Sequence, residues 1–245
     1  MAISLKIEAP SCQPHADPDD AKLRSTWPQR AWTLAGSTAI LSSLITCLRL
    51  VGSVTDLLAV AMAAFTAYSL ADLTTGVYHW LIDNYGSEAT PVLGVQVANF
   101  LDHHRHPSTI ARLDPCNNLH VLAGVVAVAL PAAGAAARAF ACTFAACVVL
   151  SVQFHAWAHE RPSRLPPGVE FLQAAGVLVS RSQHAWHHRP PYNTNYCTVS
   201  GMWIGVLDRY GVFQALEKCT TAAIESMCGG LSSGSSRLSF EKIRF

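Results

Sequence analysis

The feature that most limits how this chain can fold is a set of long apolar runs. Ala31 to Leu48 supplies eighteen consecutive residues without a charge, enough for a helix to cross the hydrocarbon of a bilayer. Leu57 to Ile82 is a second run, interrupted only by Asp72 and His79. Leu119 to Ala137 and Ala139 to Phe154 follow, with Pro131, Gly134 and Arg138 predicting a tight reversal between them. Inside hydrocarbon a chain must satisfy its own backbone polar groups, which a helix does. Only 13% of the residues are charged and 51% are hydrophobic, against about 25% charged in a soluble domain. The expectation is an all-α integral membrane protein with about four transmembrane helices.

The remaining segments divide the chain. Residues 1–30 carry four prolines and mixed charges and read as a polar leader. Asp17, Asp19 and Asp20 run against a transit peptide, which is poor in acids. Gly168 to Ser180 is apolar but too short to span, so an interfacial helix is predicted there. Residues 31–212 then form the membrane domain. Residues 213–245 form a variable tail, expected to be flexible from Cys219 to Phe245, where it contains the run Gly229–Ser236. The eight cysteines contain no CxxC pair, and several sit in apolar runs as small hydrophobes. A net charge of +1 argues nothing about nucleic acid, and with no basic stripe with interleaved aromatics no nucleic-acid partner is expected.

Against this background the histidines stand out. Ten of eleven lie between positions 79 and 188. His184, His187 and His188 occupy offsets i, i+3 and i+4, which share one helical face. His155 and His159 are spaced i, i+4; His103 and His104 are adjacent; His79 precedes Asp83 by one turn. With four crossings, all four clusters emerge on the side of the N-terminus. That side also collects Lys6, Lys22, Arg24, Arg30, Arg105, Arg112, Arg161, Arg164, Arg181 and Arg189, whereas Arg49 and Arg138 stand alone on the other. Positive charge marks that face as cytoplasmic or stromal.

Imidazoles suit a borderline metal such as iron or zinc, and eight exceed the roughly four ligands of one zinc ion. A His-rich di-metal site at one membrane face follows, with His79, His103, His104, His155, His159, His184, His187 and His188 as candidate ligands. Asp72, Asp83 and Asp102 are the nearest carboxylates to hold the far imidazole nitrogens. His15, His106 and His120 are assigned other roles. Two irons in such a site can activate dioxygen against an unactivated C–H bond, and a lipid chain is the substrate a membrane face offers. No flavin or haem motif is present, so electrons must come from an external donor.

The motifs His79-Trp-x-x-Asp83-Asn-Tyr-Gly86, His103-His104-x-x-Pro107, Gln153-x-His155-x-Trp157-x-His159 and His184-x-x-His187-His188 resemble the lipid desaturase family, which includes the plasmanylethanolamine desaturases and the CarF protein. Asn117-Asn-Leu-His120, Leu178-Val-Ser-Arg-Ser-Gln-His184 and His188-Arg-x-Pro-Tyr-Asn-x-Asn-Tyr-Cys197 are similar to its plant branch of fatty acid desaturase 4-like enzymes. The resemblance covers about residues 24–212. It implies that the eight histidines ligate two iron ions, and that palmitate on phosphatidylglycerol gains a trans double bond. It also implies a ferredoxin, cytochrome b5-like or peroxiredoxin-type donor and a chloroplast membrane, with endoplasmic reticulum as the alternative. Ile110-Ala-Arg112 replaces the family's Ile-Thr-Arg, and the sequence after Asp208 departs from the plant enzymes. A di-iron hydroxylase and a non-catalytic metal-binding membrane protein are the competing readings.

Overall fold

The computed structural model describes residues 23–229, apart from 92 and 131–133. Most of the leader, His15, the Pro131 reversal and the tail beyond Gly229 lie outside the described residues. Within them there are helices and no strand. Helix α1 runs Trp27–Leu50, with Pro28 in its first turn, where a missing N–H costs nothing. Helix α2 runs Val54–Asn84, and the Ser53 hydroxyl at its start accepts the Asp56 N–H. Helix α3 is Gly94–Arg105, α4 is Thr109–Arg112 and α5 is Pro115–Ala129, the last capped by Asp114. Helix α6 is Ala135–His159, followed by α7 (Val169–Ala174), α8 (Arg181–His187), α9 (Ile204–Arg209) and α10 (Val212–Gly229).

Three helices, α1, α2 and α6, are long and apolar enough to cross a membrane. The third expected span holds the shorter apolar helix α5, of 15 residues, and with it the count stands at about four. Helix α5 packs along α1 and α6, while α6 packs along α2. Leu34, Leu41 and Leu48 of α1 and Leu58, Met62 and Phe65 of α2 are exposed. A water-facing surface of this kind would be a liability, and lipid is its natural solvent. Trp27 and Trp32 stand exposed at the start of α1, where aromatic rings mark the headgroup layer.

Two expectations need correction. Only Val169–Ala174 of the expected interfacial helix is helical. Residues 219–229, expected to be flexible, belong to the helix Val212–Gly229. Phe213 at its start is 2% exposed and packs with Trp80, Tyr196 and Leu207, so burial of an aromatic outweighs the glycine and serine that follow.

Candidate metal centre

Four helix ends converge at one end of the bundle. Helix α2 delivers His79 and Asp83 in its final turns, α3 ends on His103 and His104, and α6 ends on His155 and His159. Helix α8 brings His184 and His187, with His188 immediately after it. Ser180 starts α8 with a capping box: its hydroxyl accepts the Gln183 N–H, and the Gln183 side chain reaches back to the Ser180 N–H. That reciprocal pair sets where the short helix begins, and so where its imidazoles point.

The side chains form two adjoining groups. His103, His155, His159, His184 and His188 offer ligand atoms that all lie within 4.8 Å of one another. His79, Asp83, His104 and His187 form a second set of the same kind. The rings of His79 and His155, one from each set, are 5.0 Å apart. Facing nitrogens are closer still: His155 and His159 Nε2 at 3.3 Å, His184 and His188 Nε2 at 3.1 Å, His104 and His187 Nε2 at 3.2 Å. Two nitrogens bound about 2.1 Å from one ion at tetrahedral or octahedral angles sit about 3.0–3.4 Å apart. Asp83 Oδ2 lies 3.1–3.2 Å from Nε2 of His79, His104 and His187. Asp83 therefore stands among the candidate ligand atoms instead of behind an imidazole.

The groups that aim two of the imidazoles are main-chain carbonyls. His79 Nδ1 is 2.9 Å from the Tyr196 carbonyl, and His187 Nδ1 is 2.8 Å from that of Thr194. A carbonyl only accepts, so both Nδ1 atoms carry the proton and both Nε2 lone pairs face the centre. The loop bearing these carbonyls is itself anchored by Asp72. Its Oδ1 accepts the N–H groups of Val199, Ser200 and Gly201 at 2.8–3.1 Å, and its Oδ2 that of Trp203 at 3.3 Å. Seven residues put Asp72 about 10 Å down α2 from His79, so it serves the loop and touches no imidazole. Asp102 pairs with exposed His106 at 3.2 Å, turned away from the groups that its neighbour His103 enters. His106 and His120 belong to neither group. No side-chain signal in the sequence could have exposed the Tyr196 and Thr194 carbonyls, because the acceptor is backbone.

The electrostatics suit a cation. Burial, reinforced by neighbouring imidazoles, holds His103 and His184 well below the ordinary histidine range, and His188 down to about 2. All three are therefore neutral, the form that binds metal. Both ring nitrogens of His103, and Nδ1 of His155, His184 and His188, are buried with no hydrogen-bond partner among the described residues. Buried nitrogens without partners are costly, and a metal ion taking the lone pairs of the inward-facing atoms removes part of that cost. The donor set, nitrogen with one carboxylate and no thiolate, fits iron or another borderline ion. A cavity of about 410 Å³ lined by Pro107, Ser108, Arg181 and Ala185 opens on His159 and His188.

Helices that cross a bilayer and close at one end on a histidine-rich metal pocket define a class, the membrane-bound metalloproteins of lipid chemistry. Residues 68–227 match the lipid desaturase domain, and the chain belongs to that family. It is 50% identical over 199 residues to fatty acid desaturase 4, chloroplastic, of Arabidopsis thaliana, covering 78% of this chain and 61% of that protein. It is 45% identical over 205 residues to fatty acid desaturase 4-like 1, chloroplastic, of the same plant, covering 81% and 69%. The plasmanylethanolamine desaturase of Myxococcus xanthus is 31% identical over 173 residues, covering 66% and 60%. The chain thus spans about three fifths of the length of the first of these relatives. No solved structure matches it.

Proposed function

We propose that this protein is an oxygen-dependent di-iron desaturase of lipid acyl chains. The observation that carries the reading is the pair of adjoining ligand groups, together nine donor side chains, at one end of a bundle whose sides are apolar. One iron would be held by His103, His155, His159, His184 and His188, the other by His79, Asp83, His104 and His187. Bound iron would supply oxygen activation and removal of hydrogen from an unactivated C–H bond. The residues of the chain hold that chemistry in place. The carbonyls of Tyr196 and Thr194 fix the tautomers of His79 and His187, and the cavity beside His159 and His188 gives a lipid chain its approach.

The relatives' names support a fatty acid as the oxidised group and a chloroplast membrane as the setting. By similarity to the plant branch, the substrate is palmitate on phosphatidylglycerol and the product a trans double bond. Reducing equivalents come from a ferredoxin, cytochrome b5-like or peroxiredoxin-type partner. Expression of the chain in cells lacking such an activity, followed by lipid mass spectrometry, tests the reading. The expected product is lighter by two hydrogens; a gain of one oxygen would identify a hydroxylase. His184→Ala and His188→Ala should each abolish product while leaving membrane insertion intact, and full activity in both would reject the assignment.

A further inference from the structure

The candidate ligand groups use one side of α8, and its other side is turned outward. Arg181, Ser182, Ala185 and Trp186 are exposed, while His184 and His187 are buried behind them. Trp186 keeps 56% of its surface free. Arg189, two residues past the helix, turns back over it. Its N–H donates to the Trp186 carbonyl at 3.2 Å, and its guanidinium lies 4.0 Å from the centre of the indole ring. Arg161 and Arg164 join this face from the 3-10 turn Pro162–Arg164. That turn is tied to α8, because Arg181 donates to the Glu160 carbonyl at 3.0 Å. Among the described residues none of these four arginines is paired with a carboxylate. Between positions 160 and 189 they outnumber the two acids, Glu160 and Glu170.

We propose that the outward face of α8 is the docking surface for an acidic protein that delivers electrons one at a time. Forming one double bond with dioxygen takes two hydrogens from the acyl chain, two further electrons and two protons, and releases two waters. The chain has no flavin or haem motif, so the two electrons arrive from a carrier that is oxidised twice. Helix α8 serves both groups, with His184 and His188 in one and His187 in the other. A partner resting on Trp186 therefore sits next in sequence to a candidate ligand. Tryptophan and arginine are the residues that most often dominate protein interfaces, and a face of one sign steers a partner of the other. A thiol-based donor fits this face poorly, since it works through a mixed disulfide and no cysteine lies between Cys147 and Cys197. Lipid headgroups fit it less well than water. Helix α2 has 31 residues and reaches about 46 Å, more than a hydrocarbon core of about 30 Å. Val54, Leu57 and Leu58 expose apolar surface from its first turns, which puts the excess length at the histidine end. Neither Trp186 nor Arg189 lines the cavity that opens on His159 and His188, so a seated carrier leaves the lipid its approach.

This inference rests on the desaturase reading above, and binding measured apart from turnover tells the two apart. The full chain, iron-loaded in detergent micelles, is titrated with a plant-type ferredoxin as the acidic carrier and with cytochrome c as a basic one. The variants are W186A, R189E and the double R161Q/R164Q, with iron content and melting temperature measured for each. W186A and R189E are expected to bind ferredoxin about tenfold more weakly at low salt, and the double variant about threefold. Wild-type affinity should fall steeply between about 0.02 and 0.2 M salt. Reduction of the iron by dithionite, which needs no docking, should change less than about twofold. Unaltered ferredoxin binding in all three variants, or cytochrome c bound as tightly, would overturn the assignment. The double variant decides the matter if the α8 variants lose iron, because its side chains lie on a separate turn. Tryptophan fluorescence of wild type minus that of W186F, in liposomes, supplies the other arm. Quenching by acrylamide from the water is expected; quenching by brominated lipid would make Trp186 a membrane anchor and end the proposal. Variant-sensitive ferredoxin binding by a chain that forms no double bond would instead sink the desaturase reading and leave the docking surface standing.

Discussion

Asp72 shows how much one side chain can carry in this protein. It is fully buried in a spanning helix, where an ionised group is tolerated only with matched partners. Four backbone N–H groups supply them, and in return the loop from Val199 to Trp203 is fixed. Asp72→Ala would leave those donors buried and unpaired, each costing about 1–3 kcal/mol before relaxation. The expected result is a loss of several kcal/mol, about 3 or more, in a denaturant titration in micelles. Asp72→Asn, which retains one carbonyl acceptor, should lose less. The sequence marks Asp72 as an ionisable residue in an apolar run and so as important, but the helical face it shares with His79 points to the metal. Its true partners lie more than 120 residues away, beyond what helical spacing can reveal. Asp83 is the opposite case: the offset of four from His79 is visible, and the geometry raises it from support to candidate ligand.

At the level of helices, close packing replaces water as the organising force. Between membrane helices there is little hydrophobic gain, so small residues that let backbones approach become decisive. Gly36 on α1 is such a contact, for a Cβ there would collide with the Ala123 carbonyl of α5. Across the same interface Trp32 lies over Gly124, where an added Cβ would meet the ring at 3.5 Å, an ordinary van der Waals contact. Gly36→Leu is expected to force α1 away from α5, lowering the melting temperature while the isolated helices still insert; cysteine crosslinking between α1 and α5 would register the separation. The helices most legible in the sequence are those written as unbroken apolar runs, and α1, α2 and α6 come within a few residues of their expected ends. Helix α3 is hidden because Gly86 and Pro91 precede it, Gly94 opens it, and its apolar residues Val97, Phe100 and Leu101 are interspersed with polar ones. Helix α10 is hidden because the glycine–serine run after it sets the tone of the whole segment. The histidine groups survive these misses, since each pair or triplet is local and its spacing does not depend on the neighbouring helix being found.

Taken as a whole, the molecule is closed at one end by its own candidate ligands. Helices α2, α3, α6 and α8 each contribute donors, and the α8 segment, only seven residues long, has little packing area of its own. Binding that favours the folded chain stabilises it in proportion to ligand affinity, and here the ligand would tie all four helices together. Stripping metal with a chelator should therefore lower the melting temperature, and should expose the segment from Pro162 to Tyr192 to protease before the spanning helices are cut. Restored metal should reverse both effects. A melting curve indifferent to chelation would show that the helix ends hold together through packing alone.

The orientation of His79 and His187 by carbonyls rather than carboxylates has its own consequence. A main-chain oxygen remains when the residue bearing it is exchanged, so the aim of these imidazoles is insulated from the identity of position 194. Thr194 is only half-buried, and its side chain can be redrawn in any size its pocket accepts without retuning the two imidazoles. Such a loop lets its side chains diversify while the histidine pocket stays as it was.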